Sequence, residues 1–336
     1  MRAATSAHRI GALLLPQFSF VELGLVIEPL FILNWLAQRP LFEWQLLSVD
    51  GRPVIASSGV PVPVEATLPA PETLDSVFVF ASFETKTYAD DRRAKVWLRR
   101  AAAAGLELAG IETGTEVLAA AGLMTGHGAA VHWDNRDGFQ ELYPDVHVTP
   151  GLYTVEPRRL SCAGGTAVLD MMLHWLEAHI DEHVLAELRH HLLARPPRQG
   201  NTPQLTDGHG AEEVANPLVR RALRLMREYI ETPLSAGALA ERLGVSVRQL
   251  ERHFKAELDV PPIRYYIWLR VNRAHRLLQQ TDLSVAEVAA SAGFNSLEHF
   301  SRVYRHYFGC APSADRLQTT EAPVIPVRAQ PSSDAG

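Results

Sequence analysis

The chain has 336 residues, 47% of them hydrophobic, which is enough for two domains that each bury a core. Its formal net charge of −6 is uneven: residues 217–316 hold 15 Lys/Arg against 10 Asp/Glu, whereas residues 1–216 hold 16 against 26. The two cysteines, Cys162 and Cys310, lie in different halves, which excludes a disulfide-stapled scaffold. The apolar run over residues 10–15 is too short for a signal peptide or a membrane span, so we expect a cytoplasmic protein without membrane contact.

Residues 1–195 are predicted to form an α/β domain with a doubly wound parallel sheet, because continuous apolar strands alternate with helices over this range. We expect strands at residues 9–15, 42–49, 77–80, 106–111, 129–132, 146–148 and 159–162. Helices are expected at residues 18–36, 90–104 and 113–121, followed by one long helix over residues 166–193.

One predicted strand runs straight into a sharp turn and a helix, at Gly110-Ile111-Glu112-Thr113-Gly114. A turn of this kind, the nucleophile elbow, projects one side chain into the crevice above the carboxyl ends of a parallel sheet. Here that residue is Glu112, which we expect to be ionised beside the helix N-terminus and suited to a cationic ligand. Aromatic side chains would add cation–π attraction. The predicted ligand-binding residues are Glu28, Phe83, Glu112, Thr113 and Trp133.

Two other chemistry-bearing features have simpler explanations. Cys162 stands just before Gly164-Gly165 at a strand-to-helix turn and is expected to be a buried packing residue. His179 and His183 are four residues apart on the predicted long helix, but the glutamate between them does not follow the H-E-x-x-H order, so we expect a solvated helix face. We therefore predict no catalytic residue, no metal site and no cofactor.

The second half of the chain contains one helix-turn-helix pattern twice. Residues 196–216 are Pro-, Gly- and polar-rich and are predicted to be a linker, residues 217–316 an all-helical domain, and residues 317–336 a disordered tail. In each copy an alanine stands four residues before a helix-ending glycine, and a serine N-cap follows. The two sets are Ala240, Gly244 and Ser246, then Ala289, Gly293 and Ser296. Tandem copies joined by a helix over residues 263–280 are typical of a DNA-binding module.

The second copy of the pattern lies within a longer sequence motif. The motif consists of Gly293-Phe294-Asn295-Ser296, then Phe300-Ser301-Arg302, then Tyr307-Phe308-Gly309-Cys310-Ala311-Pro312. With this motif, residues 219–316 resemble the C-terminal domain of AraC/XylS-family regulators. The resemblance implies recognition helices over residues 247–257 and 297–307. The side chains that it turns towards DNA bases are Arg248, Glu251, Arg252, Leu297, Glu298, His299 and Arg302.

The first half resembles the PfpI-like branch of the class I glutamine amidotransferase fold over most of residues 9–200. The supporting segments are Gly114 with Val117-Leu118-Ala119-Ala120-Ala121-Gly122-Leu123, His132-Trp133, and Cys162-Ala163-Gly164-Gly165-Thr166-Ala167. The joined architecture is similar to the GlxA-type subgroup of AraC regulators. Catalytic members place a cysteine at the elbow, where this chain has Glu112. That acidic residue, Glu28-Pro29 and His132-Trp133 also resemble the glycine-betaine- and carnitine-responsive members of the subgroup.

Together these observations predict a sequence-specific DNA-binding transcriptional regulator, an activator, controlled by a small-molecule effector. The effector is expected to be a quaternary ammonium compound or an amino-acid-derived catabolite, with arginine as the main rival. The expected partners are promoter DNA, this effector, RNA polymerase and a second copy of the chain. The alternative is a cysteine-type amidohydrolase or peptidase fused to a DNA-binding domain, which would need a reactive Cys162.

Overall fold

The structure of the chain, a computed structural model, describes residues 7–83, 88–204 and 214–316. It divides into two compact units, residues 1–204 and 205–336, and each is described by itself. The predicted tail, residues 317–336, lies outside the described residues, as do residues 205–213 of the predicted linker.

The first unit alternates strands and helices along the chain. Its strands are β1 (His8–Leu14), β2 (Phe42–Leu47), β3 (Val54–Ile55), β4 (Pro61–Val62), β5 (Ser76–Ala81), β6 (Glu107–Glu112), β7 (Gly128–Ala130), β8 (His147–Thr149), β9 (Tyr153–Glu156) and β10 (Arg159–Cys162). Its helices are α1 (Phe20–Ala37), the short 3-10 helix Pro71–Thr73, α2 (Arg92–Ala103), α3 (Gly114–Ala120), α4 (Arg136–Leu142), α5 (Ala167–Glu177) and α6 (Glu182–His191).

The central sheet has the strand order β2-β1-β5-β6-β10-β9, and every neighbouring pair is parallel except β10 with β9. Successive side chains of a strand point to opposite faces of the sheet, so each strand contributes side chains to the core on either face. On one face Phe78 and Phe80 pack with residues of α1 and α5, and on the other Val77 and Val79 pack with residues of α2 and α3. Helices on both faces of a mostly parallel sheet confirm the predicted doubly wound α/β fold.

Three local predictions need correction. The predicted long helix is two helices: α5 ends at Glu177, His179 Nδ1 lies 2.9 Å from the Trp175 carbonyl just beyond that end, and Asp181 takes an extended backbone before α6. Strand β9 was not expected; it adds an antiparallel edge through pairs such as Tyr153 with Cys162. Residues 196–204, predicted as linker, pack on the first unit, where the buried Gln204 side chain donates to the carbonyls of Val131 and Gly151 at 2.9 and 2.7 Å.

Helix α1 is apolar on both of its faces. It is long enough and apolar enough, with a mean hydropathy of 1.7, to meet the length and composition criteria for a membrane span. Its Val26 and Leu30, however, pack fully buried in the sheet core, as in a helix that covers a sheet. The opposite face leaves Phe31 and Trp35 about half exposed, each at 54%.

The second unit is all-helical within its described residues. Its helices are α7 (Pro217–Glu228), α8 (Ala236–Leu243), α9 (Val247–Leu258), α10 (Pro262–Gln280), α11 (Val285–Ser291), α12 (Leu297–Phe308) and α13 (Pro312–Asp315). One core gathers α7, α8, α9 and the start of α10, and a second gathers the rest of α10 with α11 and α12. The 19 residues of α10 span about 28 Å and therefore join two separate helix-turn-helix cores.

The capping pattern predicted from the two repeats is confirmed. Gly244, with φ 72°, ends α8 in the left-handed conformation, and Gly293 follows α11 with φ 76°. The Ser246 side chain accepts from the amide of Gln249, and the Ser296 side chain accepts from the amide of His299, so both recognition helices begin at a capped residue.

The turn of the second motif is packed so closely that only glycine fits at its centre. A Cβ on Gly293 would lie 2.4 Å from the Ile230 carbonyl oxygen, in the loop that follows α7. Arg270 of α10 donates to the carbonyls of Ala292 and Gly293, at 2.9 and 2.7 Å, and lies over the Phe294 ring at 4.1 Å. This turn is therefore fixed to both α10 and the first motif.

A buried polar cluster ties α12 to α10 and α13. His275 Nδ1 lies 2.9 Å from both the Tyr304 hydroxyl and Asp315 Oδ2, and the Tyr304 hydroxyl also donates to Asp315 Oδ2. Asp315 is completely buried and Tyr304 is on α12, so the carboxylate fixes the second recognition helix from inside the domain.

We predict that Asp315→Ala loosens α12, because two buried polar groups lose their acceptor at roughly 1–3 kcal/mol each. Hydrogen–deuterium exchange of the α12 amides should accelerate by at least tenfold. Arg305→Ala, at an exposed position of the same helix, is the matched control and should leave exchange unchanged. Wild-type protection in Asp315→Ala would contradict this role.

Candidate ligand site and candidate DNA interface

The elbow on β6 has the backbone that its sequence predicts. Glu112, the last residue of β6, has φ 54°, an uncommon left-handed conformation for a residue with a side chain. A Cβ on Gly114 would lie 2.0 Å from the Val79 carbonyl oxygen, and one on Gly110 would lie 2.5 Å from Thr115 Cα. Glycine at both positions therefore allows α3 to start directly against the sheet, and this tight packing maintains the strained conformation of Glu112.

A second carboxyl group, that of Glu22, lies against Glu112. Glu22 is in the first turn of α1 and is only 2% exposed. Its Oε1 accepts from the amide of Gly165 at 2.6 Å, in the loop that follows β10. A Cβ on Gly164 would lie 2.6 Å from Glu22 Oε1 and 2.9 Å from Glu112 Cγ. Helix α1, strand β6 and the loop after β10 thus meet at a pair of carboxyl groups, which we call the carboxyl pair.

Burial controls the protonation of the carboxyl pair. It raises the pKa of Glu22, and the neighbouring Glu112 raises that pKa further. Burial also raises the pKa of Glu112, although hydrogen bonds from the Ser82 hydroxyl and from Glu22 act in the opposite direction. The ionised Glu112 that the sequence predicts stays a prediction: burial opposes its ionisation, whereas a proton held by the neighbouring Glu22 favours it. Two adjacent buried carboxyl groups avoid double ionisation by retaining a proton, and here Glu22 is the group that holds it.

The predicted ligand residues lie at different distances from this pair in the fold. Phe83 follows the end of β5, where Ala81 pairs with Glu112, and its side chain is 62% exposed at the carboxyl edge of the sheet. Thr113 is buried, and its hydroxyl donates to the Ser82 carbonyl at 2.8 Å, so its side chain supports the elbow. Trp133, after β7, is half-buried with its amide bonded to Gln204 Oε1 at 2.8 Å.

Glu28 is exposed on α1, six residues beyond Glu22 and about 9 Å further along the helix axis. The acidic residue of α1 that reaches the elbow is thus Glu22, which sequence reasoning missed. The signal was available, since Glu22 shares a helical face with the buried Val26, Leu30 and Leu33. A carboxyl group on the core face of an otherwise apolar helix needs a partner inside the fold.

A separate cavity of about 600 Å³ opens at the carboxyl ends of β1 and β2. Its lining includes Leu15, Ser48, Asp50, Arg52 and Tyr88. The Tyr88 hydroxyl donates to the carbonyl of Phe83, so the cavity adjoins the exposed aromatic residue beside the elbow. None of the predicted ligand residues lines it.

Cys162 is a core residue, as predicted. It is completely buried among the side chains that pack α1 and α5 on the sheet, and burial raises the pKa of its thiol well above the usual range. The Gly164 amide donates to its sulfur at 3.5 Å. A thiol that is neither exposed nor ionised is a poor nucleophile.

The two recognition helices turn polar faces to solvent and apolar faces inward. Leu250, Phe254, Phe294 and Phe300 are buried, as predicted. The side chains that resemblance assigned to DNA are all exposed: Arg248, Glu251 and Arg252 on α9, and Leu297, Glu298, His299 and Arg302 on α12. Among the contacts described for residues 214–316, no carboxylate pairs with Arg248, Arg252 or Arg302, so their charges face solvent unneutralised. Sequence reasoning did not include Arg305, which is exposed one turn after Arg302.

Comparison with known proteins agrees with this geometry. Residues 239–318 match a family model described as a helix-turn-helix domain. The chain is 38% identical over 327 residues to the HTH-type transcriptional regulator CdhR of Pseudomonas aeruginosa, covering 96% of this chain and 94% of CdhR. It is 32% identical over 316 residues to the HTH-type transcriptional regulator GlxA of Rhizobium meliloti, covering 94% and 97% respectively.

Solved structures match the first unit. An AraC family transcriptional regulator from Pseudomonas putida superposes with a TM-score of 0.51 at 25% identity, covering 55% of this chain and 99% of that one. DJ-1beta of Drosophila melanogaster superposes with a TM-score of 0.50 at 15% identity, over 56% of this chain and all of that one, and shares the fold alone. A DJ-1/PfpI-like α/β unit followed by a tandem helix-turn-helix domain, with full-length relatives of the same kind, shows that the chain belongs to the GlxA-like subgroup of AraC-type transcriptional regulators.

Proposed function

We propose that this DNA-binding regulator responds to a small organic cation, which binds at the carboxyl pair and changes the operator affinity of the helix-turn-helix unit. The observation that supports the proposal most is the burial of Glu22 against Glu112 at the elbow, in place of a nucleophilic thiol. We also propose that the protein activates transcription and contacts RNA polymerase. In the same proposal, two copies associate through the exposed face of α1.

The proposed DNA contacts follow from helix periodicity and exposure. Arg248 and Arg252 are four residues apart on α9, and Glu298 and Arg302 have the same spacing on α12, so each pair lies on one helical face. Both helices begin at a capping serine near this face and present their first turns to solvent. Arginine's planar group suits bidentate contacts with guanine and with phosphate.

We predict that Arg252→Ala and Arg302→Ala each weaken operator binding by roughly 1–3 kcal/mol, about 5- to 150-fold, without unfolding the domain. Operator affinity is measured by fluorescence anisotropy at two salt concentrations. A lost base contact relaxes sequence preference at one position, whereas a lost phosphate contact weakens all sequences and reduces the salt dependence. Arg224→Ala, which removes an exposed arginine of α7, is the control. Wild-type affinity in both variants would refute the assigned faces.

We propose a cation as the effector because the carboxyl pair becomes negatively charged when its groups ionise. A cation close to Glu112 and Glu22 favours the ionised forms and displaces the shared proton, so charge pairing replaces a buried pair that shares one proton. Phe83 offers a π face beside the elbow, and cation–π contact suits a quaternary ammonium group. An arginine-like guanidinium would instead donate hydrogen bonds to carboxylate oxygens.

We predict that Glu112→Gln removes most of the stabilisation that an effector confers, because the cation loses its charged partner in a desolvated site. Thermal shifts of the full-length protein are compared for glycine betaine, carnitine, choline and arginine. Glu28→Gln, an isosteric change at the exposed acidic residue of the same sensor unit, should respond as the wild type does. If Glu112→Gln keeps the full shift with every compound that shifts the wild type, the carboxyl pair is not the cation's partner.

We also predict a pH dependence of the free energy of unfolding. A carboxyl group with a raised folded pKa keeps its proton where the unfolded chain has lost it, so the stability it supports is lost as pH rises from about 4.3 towards the raised pKa. The slope for one such group is at most about 1.4 kcal/mol per pH unit. Glu22→Gln should flatten the decline in thermal midpoint of the first unit over this window, and Glu28→Gln should not. Parallel curves for Glu22→Gln and wild type would contradict the shared proton.

The rival function, a cysteine-type amidohydrolase or peptidase, needs a reactive thiol in the first unit. Cys162 is the cysteine available there, and its burial opposes both ionisation and access. We therefore propose a sensor without hydrolytic activity. Rapid alkylation of Cys162 in the native protein would favour the enzyme.

A further inference from the structure

Two histidines and a glutamate meet at the amino edge of the sheet, on the opposite side from the elbow. His8 begins β1 and Glu107 begins β6, and His179 lies in the connection between α5 and α6. One nitrogen of each imidazole and one carboxylate oxygen lie within 4.8 Å of one another. Glu107 and the elbow residue Glu112 are the two ends of the same strand, about 17 Å apart, so this cluster is separate from the carboxyl pair.

Each of the three side chains has one polar atom at hydrogen-bonding distance from a neighbouring group. His179 Nδ1 hydrogen-bonds the carbonyl of Trp175 at 2.9 Å, which leaves Nε2 with the free lone pair. Trp175 Nε1 donates to Glu107 Oε2 at 3.1 Å, and His8 Nε2 lies 3.1 Å from the Ser76 hydroxyl. Among the described contacts, no hydrogen bond joins His8, Glu107 and His179 to one another. The second nitrogen of each imidazole and the second oxygen of the carboxylate have no hydrogen bond among these contacts and are available as metal ligands.

This arrangement has the features of a metal site. In a metal-binding histidine the second ring nitrogen usually hydrogen-bonds a carbonyl or another polar group. This hydrogen bond fixes the orientation and the tautomer of the ring, as the Trp175 carbonyl does for His179. The rings are further oriented by contact, since the centroid of Trp175 lies 4.1 Å from that of His179 and 5.5 Å from that of His8. Two imidazoles and one carboxylate are a ligand set for divalent transition metals, with water completing the coordination.

We propose that His8, Glu107 and His179 bind one divalent transition-metal ion, with Zn²⁺ as the best match to the ligands. Ligand atoms of a tetrahedral zinc ion lie roughly 3.4 Å apart, so atoms now within 4.8 Å of one another would approach by at most about 1.4 Å on binding. None of the three is fully buried, so an ion has access. The bound ion would join the starts of β1 and β6 to the α5–α6 connection and stabilise the first unit.

The test uses the full-length protein after removal of metals by a chelator. Zn²⁺ is titrated by calorimetry, and Co²⁺ by its visible absorption and by quenching of tryptophan fluorescence. We expect one equivalent to bind and to raise the thermal midpoint of the first unit. His179→Ala and Glu107→Gln should each weaken the affinity at least tenfold, and Trp175→Phe should abolish most of the Co²⁺ quenching. His183→Ala, which changes an exposed histidine that pairs with Glu187, is the matched control and should bind as the wild type does.

Two results would overturn the proposal. One is the absence of saturable Zn²⁺ or Co²⁺ binding by the wild type at micromolar concentrations, a result that needs no variant. The other is unchanged affinity in both His179→Ala and Glu107→Gln, which would assign any bound ion to other histidines. Thermal midpoints measured without metal show that the variants are folded.

Discussion

The cost of burying two carboxyl groups side by side is the constraint on which the sensor half depends. Glu112 is held in a left-handed conformation at the end of β6 by the close packing of Gly110 and Gly114. Glu22 reaches it from the core face of α1, and the Gly165 amide supports Glu22 from a third element. Such a site is stable when at least one of the two groups keeps its proton. A buried group whose protonation a ligand can change is a physical means of linking binding to conformation.

The DNA-binding half relies on a different constraint, the close approach of backbones at its second turn. Gly293 packs against the Ile230 carbonyl, Arg270 bonds the two carbonyls of the turn, and Asp315 anchors Tyr304 of α12 from within. These contacts fix α12 relative to α10, so the two recognition helices are held by a rigid framework. Arg248, Arg252 and Arg302, which we propose as DNA contacts, are exposed on these two helices.

Much of this architecture could be predicted from the sequence, because its determinants are local. Continuous apolar strands predict the parallel sheet, the glycine spacing around Glu112 predicts the elbow, and serine with glycine predicts the ends of the helices. What escaped prediction depends on contacts between distant residues. Glu22 contacts Gly165, which lies 143 positions further along the chain, and His8 contacts His179 at a similarly large separation in sequence. The break between α5 and α6 was missed because residues 178–181, which separate the two helices, include no glycine or proline.

We propose that a cation at the carboxyl pair controls DNA binding, and operator affinity measured with and without effector tests this coupling. We expect a compound that stabilises the first unit to change the operator affinity of the wild type by 5-fold or more, within the usual range of allosteric coupling. Glu112→Gln should keep the effector-free affinity and lose the change. An effector that binds but leaves operator affinity unaltered, or alters it equally in Glu112→Gln, would contradict the account.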